Sequence, residues 1–272
     1  MITNIDRETK YDIIIVAGQS NAEGYGKGET AFFPREDIMM MTGKFDAKVQ
    51  QTEYGNDYLE LSVTEEYTIS QADERQGDDG KRGVIALSFA EKYAEKYLSN
   101  GRKLLLVQTS IGGTGFAKNH WGDGDILSER LYKMVDEALL MNEQNRVVAI
   151  AWHQGEHDSF EKEELTDRER YDFYYEKLKF FLGKLREKYG KIPFISAGFT
   201  KQWVDSYPTR CEAVYSASEK VCAEDGKATF IRKTDDLKSN DQLFGDKDVV
   251  HYSKQACKIL GERYFDEYEK LI

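Results

Sequence analysis

Four short stretches of this 272-residue chain hold side chains that could do chemistry together. They are Gly18-Gln19-Ser20-Asn21, Thr109-Ser110-Ile111-Gly112-Gly113-Thr114, Trp152-His153-Gln154-Gly155-Glu156-His157 and Asp248-Val249-Val250-His251. A nucleophilic serine hydrolase needs a hydroxyl on a rigid turn, an imidazole to take its proton and a carboxylate to fix the imidazole's tautomer. It also needs hydrogen-bond donors aimed at the oxyanion. Ser20 can supply the hydroxyl and His251 the imidazole, while Asp248 can reach the other ring nitrogen within one turn of chain. The candidate oxyanion donors are the Ser20 N–H, the N–H of Gly112 or Gly113, and the Gln154 amide. Glycine suits that place because a missing Cβ lets substrate approach the backbone. Asn21, beside the serine, and Trp121, after the glycine loop, are candidate substrate-binding residues.

Each residue taken alone has a plainer reading. Serine is a favoured helix cap, and paired glycines commonly shape a turn. Glu156 and Asp158 can be ordinary solvated acids, and Trp121 and Trp152 can simply pack. The histidine is more telling, because the chain has only four and this one stands three residues after an aspartate.

The elements that would position these residues can be read from apolar patterning. Ile13–Ala17, Leu104–Gln108, Val147–Trp152 and Phe194–Gly198 read as strands, with Ala228–Ile231 a weaker fifth. Between and after them, Ile85–Leu98, Ser128–Met141, Arg168–Tyr189, Arg210–Glu224 and Ser253–Leu271 have the spacing of amphipathic helices. Strands that are continuously apolar are buried on both faces, which implies parallel strands under helices. The expected fold class is therefore α/β, a three-layer α/β/α sandwich with a central parallel sheet. All four stretches then fall beside strand ends or in a late loop, on one edge of the sheet. The expected organisation is a single domain over 1–272 with a long irregular excursion at 26–83, holding at most a small hairpin around Ile38–Glu60. Specificity is expected in that excursion and in the loops after Glu156 and Thr200.

Bulk properties narrow the function. There are 38 basic and 49 acidic residues, a net charge of −11, which argues against nucleic-acid binding and against docking on an anionic membrane. The N-terminus has no basic segment leading into a long apolar core, so a cytoplasmic location is expected. Cys211, Cys222 and Cys257 are too few for a disulfide framework and read as buried small hydrophobes. A homo-oligomer remains open.

Taken in order, GQSN, S-x-GGT, W-x-QGE and D-x-x-H resemble the SGNH hydrolases. More narrowly, they resemble the sialate O-acetylesterase and carbohydrate esterase family six branch, which includes acetylxylan esterases. The resemblance spans residues 18 to 253. It implies a flavodoxin-like fold and removal of O-acetyl groups from carbohydrate, such as xylo- or manno-oligosaccharides or sialic acid, through an acetyl-enzyme and without a cofactor. It makes Ser20 the nucleophile, His251 the base, and Ser20, Gly113 and Gln154 the oxyanion hole. The acid is Asp248 by the superfamily pattern, with Glu156 a second candidate.

Two rival readings stand beside this one. A relative could keep the pocket and only bind sugar. His153-Gln154-Gly155-Glu156-His157 also matches the H-x-x-E-H zinc-hydrolase pattern, which needs both histidines on one helical face. Gly155 in the middle of such a helix would cost roughly 1 kcal/mol.

Overall fold

The computed structural model describes residues 1–3, 7–51, 57–77, 80–99 and 101–272. Strand β1 (Lys10–Gly18) runs into a one-turn helix α1 (Ser20–Glu23), followed by two long strands, β2 (Ile38–Gln51) and β3 (Asp57–Gln71). A short pair, β4 (Arg75–Gly77) and β5 (Gly80–Arg82), leads to α2 (Ile85–Tyr97) and β6 (Arg102–Gln108). Next come α3 (Ile126–Leu140), β7 (Arg146–His153), α4 (Glu156–Phe160), α5 (Asp167–Tyr189) and β8 (Phe194–Ala197). The chain continues through α6 (Lys201–Ser206), α7 (Pro208–Asp225), β9 (Ala228–Ile231), α8 (Asn240–Phe244) and α9 (Lys254–Leu271).

The main sheet has the order β3-β2-β6-β1-β7-β8-β9. Every neighbouring pair is parallel except β2–β3. Within it, β6-β1-β7-β8-β9 repeats the flavodoxin-like strand order. Because β6 lies on one side of β1 and β7 on the other, the switch point falls at the carboxyl end of β1, where Ser20 stands. Successive β1 residues point to opposite faces. Ile13, Ile15 and Ala17 join the core under α3, α5 and α7, whereas Ile14 and Val16 join that under α2 and α9. This is the three-layer sandwich read from the apolar runs.

The stretch 26–83 departs from expectation. β2 and β3 form a long antiparallel ladder, and β2 pairs with β6 from Ile38↔Leu104 to Met41↔Val107, so the hairpin belongs to the main sheet. Residues 52–56 and 78–79 of that stretch lie outside the described residues. The ladder was hard to read because β3 buries one side only. Tyr67 and Ile69 are buried while Glu66, Thr68 and Ser70 are exposed, and a register shift between Gly43 and Phe45 interrupts the alternation of β2. All three cysteines are free and buried. Among the described residues, no helix is long and apolar enough to cross a membrane.

One buried acid ties the sheet together at the opposite end from Ser20. Asp12 of β1 is fully buried. It accepts hydrogen bonds from Arg146 Nε at 2.7 Å, Arg102 Nε at 2.9 Å and the Tyr93 hydroxyl at 2.8 Å. Burial works to raise its pKa, but Arg146, Tyr93 and Arg102 outweigh it and hold the carboxyl below its ordinary 3.8. A depressed folded-state pKa gives stability that is present above 3.8 and lost as pH falls below it. Asp12→Asn is therefore expected to lower the unfolding free energy by about 2–4 kcal/mol at neutral pH, from the urea midpoint. The low end applies if Arg146, which is 61% exposed, recovers its hydration. The deficit should shrink in acid; one that stays constant down to pH 3 would contradict the assignment.

Candidate active site

β1 ends at Gly18, whose φ of +129° and contact with β7 leave no room for a side chain: an added Cβ would lie 2.0 Å from the His153 carbonyl oxygen. That tight crossing turns the chain so that Ser20 opens α1. The cap of α1 is Gln19, not Ser20, and no side chain caps it. Among the described residues, nothing hydrogen-bonds to Ser20 Oγ or to the Ser20 N–H. The capping alternative for this serine therefore does not hold.

The imidazole comes from the loop before α9. His251 Nδ1 lies 2.8 Å from Asp248 Oδ1, and the His251 N–H donates to the same oxygen at 3.3 Å. The other carboxylate oxygen accepts from Asn240 Nδ2 at 2.8 Å. Burial pushes the Asp248 carboxyl up, but His251 and Asn240 outweigh it and hold it below the ordinary aspartate value. Tyr25 stacks on the His251 ring, with centroids 4.7 Å apart and planes at 22°. With Nδ1 engaged by the carboxylate, Nε2 is left to take a proton.

The glycine loop follows β6. The Gly112 N–H donates to Glu23 Oε2 at 2.6 Å. Gly113, at φ +72°, has no hydrogen-bond partner for its N–H among the described residues and lines the same pocket as Ser20 and His251. Of the two glycines, Gly112 has its N–H engaged and Gly113 does not.

Gln154 is placed otherwise than expected. It is buried, its amide nitrogen donates to Asp158 Oδ2 at 2.6 Å and Gln19 Oε1 at 3.2 Å, and its oxygen accepts from the Tyr174 hydroxyl. Both amide protons are engaged inside the fold, so none is left for an oxyanion. Asp158 is no solvated acid: it is buried and also accepts the Phe116 and Ala117 N–H groups at 3.0 and 2.7 Å. It thereby ties α4 to the glycine loop. Burial pushes its carboxyl up.

Asn21 is likewise an internal clamp rather than a substrate contact. Its Nδ2 donates to Glu156 Oε1 at 2.6 Å and to the Val250 carbonyl at 3.1 Å, and its Oδ1 accepts the Tyr252 N–H at 3.1 Å. The residue after the serine thus holds both chain neighbours of His251. Glu156 sits behind it, with His153 Nε2 also 3.2 Å from Oε1. Burial works to raise the Glu156 carboxyl, but His153 and Asn21 outweigh it and lower it. The Glu156 carboxylate contacts run to His153 and Asn21, and the His251 Nδ1 contact runs to Asp248. The zinc pattern also fails on placement: His153 ends strand β7, whereas His157 lies on α4 and pairs with Glu161 at 3.1 Å. Among the described residues, no three metal-binding side chains cluster.

The pocket around Ser20 and His251 has a volume of about 280 Å³, and Phe160 and Trp203 help to line it. Trp121 does not: it is fully buried, stacked edge-on against Trp152 at 5.2 Å, with its Nε1 donating to Thr114 Oγ1. Trp203, missed from sequence, is held by a hydrogen bond from its Nε1 to Ser159 Oγ at 3.0 Å and packs on Tyr207 at 4.8 Å. It lies on α6, just after Thr200 and in the stretch expected to carry specificity, and its ring is of a type that stacks on sugars.

Comparison with known proteins identifies the family and supports the fold. Residues 10–270 match the family model for carbohydrate esterases described as sialic acid-specific acetylesterases. A relative in Escherichia coli (strain K12), described as a probable 9-O-acetyl-N-acetylneuraminic acid deacetylase, is 25% identical over 237 residues, covering 75% of this chain and 72% of that protein. In structure the chain is similar to NanS, with a TM-score of 0.69 at 17% identity over 97% of this chain and 98% of that one. It is also similar to a protein from Arabidopsis thaliana, with a TM-score of 0.68 at 16% identity over 95% and 98% of the two chains.

Proposed function

The chain belongs to the sialic acid-specific acetylesterase family of carbohydrate esterases, and from that premise we propose that its carbohydrate O-deacetylation runs through an acetyl-enzyme on Ser20. The observation that supports this reading is the Asp248–His251 pair, 2.8 Å apart, whose imidazole lines one pocket with Ser20, a serine with an unengaged hydroxyl. His251 Nε2 takes the Ser20 proton as Oγ attacks the acetyl carbonyl, and the Ser20 and Gly113 N–H groups receive the oxyanion. The collapsing intermediate expels the sugar oxygen, which takes the proton from His251 and leaves as the free hydroxyl. Water, activated by the same imidazole, then releases acetate and restores the serine.

For the sugar, we take an O-acetylated sialic acid as the preferred substrate, resting on the family and on the Escherichia coli relative. Phe160 and Trp203 offer aromatic faces for the apolar side of its ring. The test is acetate release from 9-O-acetyl-N-acetylneuraminic acid, from acetylated xylo-oligosaccharides and from 4-nitrophenyl acetate, with and without EDTA. EDTA-insensitive release, fastest on the sialic acid ester, is expected. Trp203→Ala should raise KM for the sugar ester about tenfold, the worth of one stacked ring, and leave 4-nitrophenyl acetate hydrolysis nearly unchanged. Equal losses on both substrates would remove Trp203 from sugar recognition, and absence of any acetate release would overturn the catalytic reading.

A further inference from the structure

The stretch 26–83 returns to the active site through Arg75, with Arg82 also lying 5.0 Å from the centre of the Tyr25 ring. Arg75 of β4 places its Nη2 2.8 Å from Glu23 Oε1, and its guanidinium carbon lies 4.8 Å from the centre of the Tyr25 ring. Glu23 closes the helix that Ser20 opens, is only 5% exposed, and holds the Gly112 N–H on its other oxygen. Gly112 in turn packs directly on the nucleophile: a Cβ added there would lie 3.3 Å from Ser20 Cβ and 3.2 Å from the Tyr25 hydroxyl. The Gly112–Gly113 peptide is thus fixed between the serine turn and the Glu23 carboxylate.

Resting on the serine mechanism above, we propose that Glu23, paired with Arg75, is a positioning residue that sets the oxyanion donor of Gly113. Engaging the Gly112 N–H fixes the orientation of the glycine loop and leaves the next N–H uncommitted at the pocket. Burial pushes the Glu23 carboxyl above its ordinary value, and the Arg75 guanidinium and the Gly112 N–H pull against that shift. Arg75 supplies its charge from an element outside the flavodoxin-like core. Glu23 touches neither acetyl group nor sugar and acts only through the loop.

The expected signature is a loss in turnover without a loss in substrate binding. With 4-nitrophenyl acetate, Glu23→Ala should lower kcat about 100-fold, the low end for loss of one oxyanion donor, and change KM less than about threefold. Inhibition by phenylboronic acid, which forms a tetrahedral adduct on the serine, should weaken in step with kcat. Glu23→Gln keeps an oxygen that can accept the Gly112 N–H and should recover to within about tenfold of wild type. Arg75→Met, at a one-third exposed site, should lower kcat about tenfold with KM again nearly constant, because small misplacements of catalytic groups are costly.

The proposal is overturned if Glu23→Ala or Arg75→Met keeps kcat within twofold of wild type. It is also overturned if KM rises while kcat holds, or if Glu23→Gln and Glu23→Ala lose kcat equally. Ser20→Ala in the same assay separates the two levels. If it is inactive while Glu23→Ala is normal, only the positioning role fails; if it is active, the serine mechanism fails with it.

Discussion

Ser20→Ala is expected to lower kcat by about 10⁴- to 10⁶-fold, the range for removing a serine nucleophile, with KM for the sugar ester little changed. The thermal midpoint should shift by no more than about 1 °C, because Ser20 Oγ has no hydrogen bond to lose among the described residues and its backbone stays in place. That combination is diagnostic. A serine present to cap α1 or to tie the turn together would show the reverse, a lower melting temperature with activity intact. Residual release above the uncatalysed rate would come from the Ser20 and Gly113 N–H groups, which the substitution leaves untouched. Acetate release within tenfold of wild type, in protein purified away from host esterases, would remove Ser20 from the mechanism.

How far this site could be read in advance depended on the range of the interactions that build it. Ser20, Asp248 and His251 were legible because each sits in a short stretch next to a strand or helix that announces itself by apolar periodicity, and the parallel sheet brings those stretches to one edge. Side-chain direction was not legible. Gln154 looked like an oxyanion donor until Asp158 and Gln19 were seen to take its protons. Asn21 looked like a substrate contact until the loop around His251, more than two hundred residues away, proved to be its partner. Trp121 followed the glycine loop in sequence but turns into the core under α3. Glu23 and Arg75 come from α1 and from a hairpin in the stretch read as irregular, so their pairing had no local signal. Trp203 had one: it follows β8 at the same sheet edge, in the stretch after Thr200 that was expected to carry specificity but folds as α6.

Two substitutions distinguish which acid serves His251. Asp248→Asn is expected to lower kcat about 10²- to 10⁴-fold at neutral pH, as a neutral amide does when it replaces a triad carboxylate. The mechanism is a tautomer change. Asn240 Nδ2 donates to Asp248 Oδ2, so an amide at 248 would turn its oxygen toward Asn240 and present its NH₂ to His251 Nδ1. Nε2 would then carry the ring proton and could not accept another from Ser20. Glu156→Gln should behave differently. Its amide oxygen can still accept from Asn21, while the pairing with His153 is weakened in a buried place. Its cost should fall on stability, about 1–3 kcal/mol, with kcat reduced no more than about tenfold through a loosened Asn21 clamp. Measuring kcat and urea midpoints for both variants separates the roles. A severe loss of kcat in Glu156→Gln, beside a mild one in Asp248→Asn, would transfer the acid role to Glu156. It would also mean that His251 leaves Asp248 for Glu156 when substrate is bound.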